Sequence, residues 1–389
     1  MMSGTAVSVI YLPQTLLVSL ADSFGVAPST AGITATTIQV GYAVGIFLLV
    51  PLADRVQPRV QVGVQSLLLI AFLVASVFLP SIGAVALGFG VVGLVANIAQ
   101  VILPAANRIA PSGKAGSTTA TLIGSWLAGI FGGRILAGLL VGVIGWRGVV
   151  VLFAVLLLAL LPFAHRALLG DERVPVKNGS YLRLLRATTT LIARSPTVAQ
   201  SVALQLLVFT TFNSFWTVVV LYLTGPSLGW STVGAGLFGF VGLAVVACVP
   251  LVGRSVARFG HLPVAGAGLV IALIASAALI FDHQIIWLYA ASMFLIALSQ
   301  QATQTAVQGR LLATNPRAPG QANTVFMFCM FIGGALGAFL GPWGYLHGGL
   351  TQVAIQSTAL ILVCGLIWIG ISVHARRETH RLAEWGTTP

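Results

Sequence analysis

Pro51-Leu52-Ala53-Asp54-Arg55-Val56-Gln57-Pro58-Arg59 ends one apolar run, and Pro250-Leu251-Val252-Gly253-Arg254-Ser255-Val256-Ala257-Arg258 ends another 199 residues later. Both are short basic breaks with a proline at the same place, and the offset is about half the chain. A second match at a similar offset pairs Gly132-Gly133 with Gly333-Gly334. The sequence therefore reads as two copies of one helical unit.

Outward from these breaks, apolar runs recur at 4–22, 29–52, 60–80, 83–104, 117–142, 148–168, 196–223, 230–252, 262–281, 285–306, 321–343 and 351–373. A bilayer crossing takes roughly 20 mostly apolar residues, so these are twelve expected spans. Of the 389 residues, 58% are hydrophobic and 7% charged, against roughly a quarter charged in a water-soluble domain. A soluble fold is excluded. The 44 glycines and 17 prolines suit membrane helices, where small residues allow close approach and neighbours satisfy kinked backbone. The expected fold class is an all-α membrane protein, twelve helices in two pseudo-symmetric six-helix bundles. Its expected parts are a bundle at 1–168, a linker at 169–195, a second bundle at 196–374 and a tail at 375–389. The first run lacks a basic leader and is read as a retained helix.

The net charge of +12 is explained by where the positive residues stand. Of 19 Lys and Arg residues, all but Arg134 and Arg147 fall in alternate breaks, in the 165–195 segment or in the tail. Such asymmetry is the positive-inside pattern. It places both termini on the cytoplasmic side as an expectation. Lipid is then the expected partner of the basic surface, and nucleic acid is not. Cys248, Cys329 and Cys364 sit in apolar runs and read as small buried side chains. No disulfide, metal site or cofactor is suggested, and the spans show neither Gly-x-Ser-x-Gly nor a phosphate loop. An enzyme is not expected; a non-transporting receptor or scaffold is the alternative of another class.

Arg134 lies about eighteen positions into a span, where a charge costs at least about 2.5 kcal/mol even on insertion scales. It reads as a donor to a substrate carboxylate, phosphate or carbonyl, or as a structural tie to an amide on a neighbouring helix. Gln14, Gln39, Asn97, Gln100, Gln205, Asn213, Trp216, Gln300, Gln301 and Gln304 are the polar residues expected to line the same space. Asn97 and Gln100, Asn213 and Trp216, and Gln300 and Gln304 are spaced to share helix faces. Amides donate and accept without charge, which suits hydroxyl- or amide-bearing solutes. A proton relay usually needs an intramembrane carboxylate or His. No such residue sits at mid-span; Asp22, at a helix end, is the proton-coupling candidate.

Gly41–Arg59 resembles the loop between helices two and three of the major facilitator superfamily, with Val50 and Gln57 where that motif has glycines. The resemblance implies a gating role for Asp54, Arg55 and Arg59, which in the family grip helix ends of the other half. Gly129-Ile130-Phe131-Gly132-Gly133-Arg134-Ile135-Leu136-Ala137-Gly138 is similar to the Gly-rich fifth helix of its antiporter branch, without the Gly-Pro pair. Ser3–Arg59 is similar to bacterial permeases grouped with sugar and drug efflux proteins. The resemblance implies a monomeric secondary transporter that moves a small organic molecule by alternating access, exporting it by proton antiport. The competing reading is a proton-independent facilitator or importer of a sugar-like or anionic solute.

Overall fold

The computed structural model describes residues 1–111, 114–168, 180–281, 284–316 and 318–385, excluding the side chains of Asp54, 115–116, 183–184 and 375–385. Among the described residues every regular element is a helix. A lipid-exposed strand edge would leave backbone groups without partners, whereas a helix satisfies its own.

Among the described residues, eight helical segments are long and apolar enough to cross a membrane. Two of these, Ser117–Ala167 and Pro319–His374, run to 51 and 56 residues. Each is broken inside, at Gly145 (φ 65°) and at Gly348–Gly349 (φ 62° at Gly349), so each has the length for two crossings. The left-handed backbone that glycine adopts freely makes these two reversals possible. Together with the broken first segment and the amide-rich helix Ile286–Thr314, twelve spans fit.

The first expected span is interrupted, running as Met2–Val9, Leu12–Thr15 and Leu17–Phe24 around Pro13. The fourth is also interrupted, as Ile82–Val95 and Ile98–Ile109. The amphipathic helix expected around 181–192 forms as Tyr181–Arg194. Within each half, helices approach at glycines. A Cβ added to Gly129 would fall 2.1 Å from the Gly4 carbonyl oxygen, so Met2–Val9 touches its neighbour backbone to backbone. Gly129, Gly133 and Ala137 recur at four-residue spacing on one helix face, and the first two make this approach, a Cβ on Gly133 falling 2.5 Å from the Ser8 Cβ. Cys329 and Cys364 are buried and Cys248 half-buried, all as free thiols.

The two halves meet along Pro196–Thr224, where nearly every residue from Val208 to Leu223 is buried, and along Ile33–Leu49 against Pro319–Trp385. Across that second seam the Tyr42 and Phe331 rings lie 4.4 Å apart and the Phe47 and Phe328 rings 5.4 Å.

Candidate functional site

A cavity of about 500 Å³ lies between the halves. Helix Ile286–Thr314 gives it one wall of amides and a hydroxyl: Gln300, Gln301, Gln304, Thr305 and Gln308. They recur every three to four residues and so face one way. They are held in order by each other: Gln205 Nε2 donates to Gln300 Oε1 (3.2 Å), Gln300 Nε2 to Gln304 Oε1 (3.1 Å), and Gln308 Nε2 to Asn323 Oδ1 (2.7 Å). The facing surfaces are aromatic: Tyr11, Tyr42, Trp126, Phe131, Phe209, Phe212 and Phe331. Among the described residues no lining side chain carries a charge. The cavity reaches Thr119, Leu312 and Asn323, close to the helix ends flanked by Arg108, Lys114 and Arg310.

Away from those ends the halves are closed by a polar cluster. Arg134 is 5% exposed, and Gln14, Gln39 and Asn213 are 0% exposed. Arg134 Nη2 donates to Gln14 Oε1, and Nη1 to the Trp216 carbonyl (3.1 Å). Asn213 Oδ1 accepts from both Gln14 Nε2 (3.1 Å) and Gln39 Nε2 (3.0 Å). The guanidinium carbon stands 5.2 Å from the Tyr11 ring centre and 5.0 Å from that of Trp216. Gln14 and Asn213 are 199 residues apart, the same offset as the repeated loop. A residue that touches its own repeat mate lies close to the pseudo-twofold axis.

The expected lining residues therefore divide. Gln100, Gln300, Gln301 and Gln304 face the cavity, with Gln205 bonded just behind. Arg134, Gln14, Gln39, Asn213 and Trp216 form the closure instead. Asn97 and Gln100 do not share a face, because the helix breaks at Ala96 and Asn97 accepts from Gln65 Nε2 (3.0 Å) while Gln100 turns to the cavity. Asp22 is exposed on the last turn of Leu17–Phe24. The turn Val50–Asp54 packs on Pro319–Trp385. The Arg55 guanidinium lies 5.7 Å from the Tyr181 ring, and the Tyr181 hydroxyl donates to the Leu48 carbonyl. Partial burial raises the Tyr181 phenol above its ordinary pKa, against an opposing effect of Arg55. Arg59 Nε donates to Gln57 within its own loop (3.1 Å); the side chain of Asp54 lies outside the described residues. Sequence reasoning missed the aromatic wall, since an aromatic in an apolar run carries no signal of its own. Gln308 was legible, four positions beyond Gln304 on the same face.

The sequence model of the Major Facilitator Superfamily matches residues 1–308. The chain belongs to that family. The transporter is 32% identical over 351 residues to the probable transporter SCO4007 of Streptomyces coelicolor, covering 89% of this chain and 80% of the relative. It is 27% identical over 366 residues to the transporter YgaY of Escherichia coli O157:H7, covering 94% and 92%. Its fold resembles a solved POT family transporter in complex with 5-aminolevulinic acid, at a TM-score of 0.77 with 12% identity over 97% of this chain and 95% of that one. It also resembles the nucleoside transporter NupG, at a TM-score of 0.73 with 13% identity over 95% and 98%. The protein is thus a multi-pass membrane transporter.

Proposed function

We propose that this transporter carries a small amphipathic organic molecule across the bacterial cytoplasmic membrane by alternating access, exporting it in exchange for protons, with both termini inside. The observation that carries the reading is a cavity walled by both halves, amide on one side and aromatic on the other, with no charged side chain among its described lining residues. Gln100, Gln300 and Gln304 are its direct ligands, and Gln205 orients Gln300. Arg134, Gln14, Gln39, Asn213 and Trp216 close the far side and come to line the passage when the halves part there. Asp54, Arg55 and Arg59 hold the cytoplasmic gate, a role taken from the resemblance and supported by the packing of Val50–Asp54 on the other half.

Export rests on the resemblance of Ser3–Arg59 to efflux permeases and proton exchange on that of Gly129–Gly138 to the antiporter branch, with Asp22 as the proton carrier. A second reading, a proton-independent facilitator, is favoured by one specific observation: among the described residues no Asp, Glu or His lines the cavity. Flux in sealed proteoliposomes under an imposed pH gradient, over a panel of organic acids, neutral aromatics and cationic drugs, separates them. Antiport requires flux that follows the gradient and is uncoupled by Asp22→Asn; exchange that ignores pH in the native chain establishes the facilitator.

A further inference from the structure

The chain has seven Asp and Glu residues: Asp22, Asp54, Asp171, Glu172, Asp282, Glu378 and Glu384. Asp22 ends the 4–22 run and the other six stand outside the apolar runs, so none is at mid-span. The interior therefore holds the cation of Arg134 with no carboxylate to match it. Its hydrogen-bond partners are an amide oxygen and a backbone carbonyl, and its buried Nε has none. These neutral acceptors solvate the guanidinium without cancelling its charge, and a guanidinium keeps its proton at neutral pH.

The charge stands one ring behind the cavity wall. Tyr11 lines the cavity on one face and is 5.2 Å from the guanidinium carbon. Phe131, another wall residue, lies 5.1 Å from the Trp216 ring that covers Arg134 from the other side. At the open end Arg310 follows the wall residue Gly309 and donates to Gln200 (3.4 Å), adding charge of the same sign. An aromatic cavity by itself attracts cations through the ring faces. Here the Tyr11 and Trp216 rings are already engaged by Arg134, and the low-dielectric interior screens its field weakly.

We propose that Arg134 is a charge filter for this cavity, acting through the Tyr11 and Phe131 wall to favour neutral and anionic aromatic solutes and to disfavour organic cations. This rests on the reading of the cavity as the substrate site. A solute against Tyr11 sits roughly 9 Å from the charge, and at an effective dielectric constant of about 20 the field discriminates roughly twentyfold per unit charge. Arg134 is a specificity-determining residue that need not touch the solute in this conformation.

The test is binding of three planar probes of equal size, 2-naphthamide, 2-naphthoate and 2-naphthamidine, to the purified full chain by probe fluorescence. The native protein is expected to bind the neutral and anionic probes at least about tenfold more tightly than the amidinium. Arg134→Gln should bring all three within about twofold, the cation gaining and the anion losing, while Arg134→Lys keeps the native order. Gln14→Glu places a carboxylate against the intact guanidinium and should erase the discrimination equally, so the proposal stays testable if Arg134→Gln does not fold. Gln304→Ala should weaken all three alike. Equal or tighter amidinium binding by the native chain, an unchanged ratio in Gln14→Glu, or no binding of any probe overturns the proposal. Flux of another solute class in the proteoliposome experiment would then leave the transporter reading standing.

Discussion

Asn213 accepts two hydrogen bonds from the other half through one oxygen, from Gln14 and from Gln39, at a site closed to solvent. Removing the acceptor leaves two buried amide donors unpaired, which costs about 1–3 kcal/mol in water-soluble proteins, whereas polar pairs between membrane helices average about 0.6 kcal/mol. Taking about 1 kcal/mol, Asn213→Ala should shift the equilibrium away from this closed arrangement by roughly fivefold. Single-cysteine labelling near the outer helix ends should report it, with faster modification in Asn213→Ala than in the parent. An unchanged rate would mean that the amide cluster does not hold the gate. Arg134 belongs to the same cluster. Its position in mid-span marked it from the sequence as special, yet only the partners Gln14 and Trp216 decide that it sits in the closure in this state.

The helices Ile33–Leu49 and Ile82–Val95 pack through glycine. A Cβ at Gly93 would stand 2.1 Å from the Ile38 carbonyl oxygen and one at Gly41 would stand 1.9 Å from that of Gly90, so the backbones must separate to admit even a methyl group. Overpacking of that kind costs about 1–3 kcal/mol. Gly93→Ala should therefore lower the unfolding temperature in detergent. Gly365→Ala, with nothing within 4 Å of its added Cβ, should leave it unchanged or slightly raised. Equal effects would show that the close approach carries no stability. The linker helix Tyr181–Arg194 works at the same scale, since its first residue bonds to Leu48 and carries the Arg55 guanidinium on its ring. It thereby ties the linker to the loop that the resemblance assigns to gating.

Alternating access requires the far-side closure to open when the cavity end shuts. Gly32 and Pro342, from opposite halves, approach so that a Cβ on Gly32 lies 3.2 Å from the Pro342 Cβ, near the range that a disulfide spans. In a chain whose three native cysteines are replaced, Gly32→Cys with Pro342→Cys should oxidise to a cross-link that abolishes flux, and reductant should restore it. Flux that survives full cross-linking would rule out parting of the halves at this seam. Each single variant should transport, which separates the lock from damage by substitution.

The apolar runs, the 199-residue repeat and the one-sided basic breaks determined a helical membrane fold in two related halves, because in lipid the length and polarity of each segment leave little else for it to do. The fifth-helix glycine stripe was readable for the same reason, as spacing alone puts small residues on one face. What tertiary structure decided was which polar residues face the cavity. Asn97 and Gln100 parted company at a helix break that no spacing rule announces, and Gln14, Gln39 and Asn213 turned to each other across the axis. Tyr11, Phe209 and Phe331 became a wall only when distant helices met. An interior amide can bond to its neighbour or to a solute, and an aromatic ring in an apolar run can face lipid, core or cavity. Those choices are made by the packing of elements far apart in the chain, and the physical quantity that settles them, the burial of each polar atom with its partner, does not exist until the fold has formed.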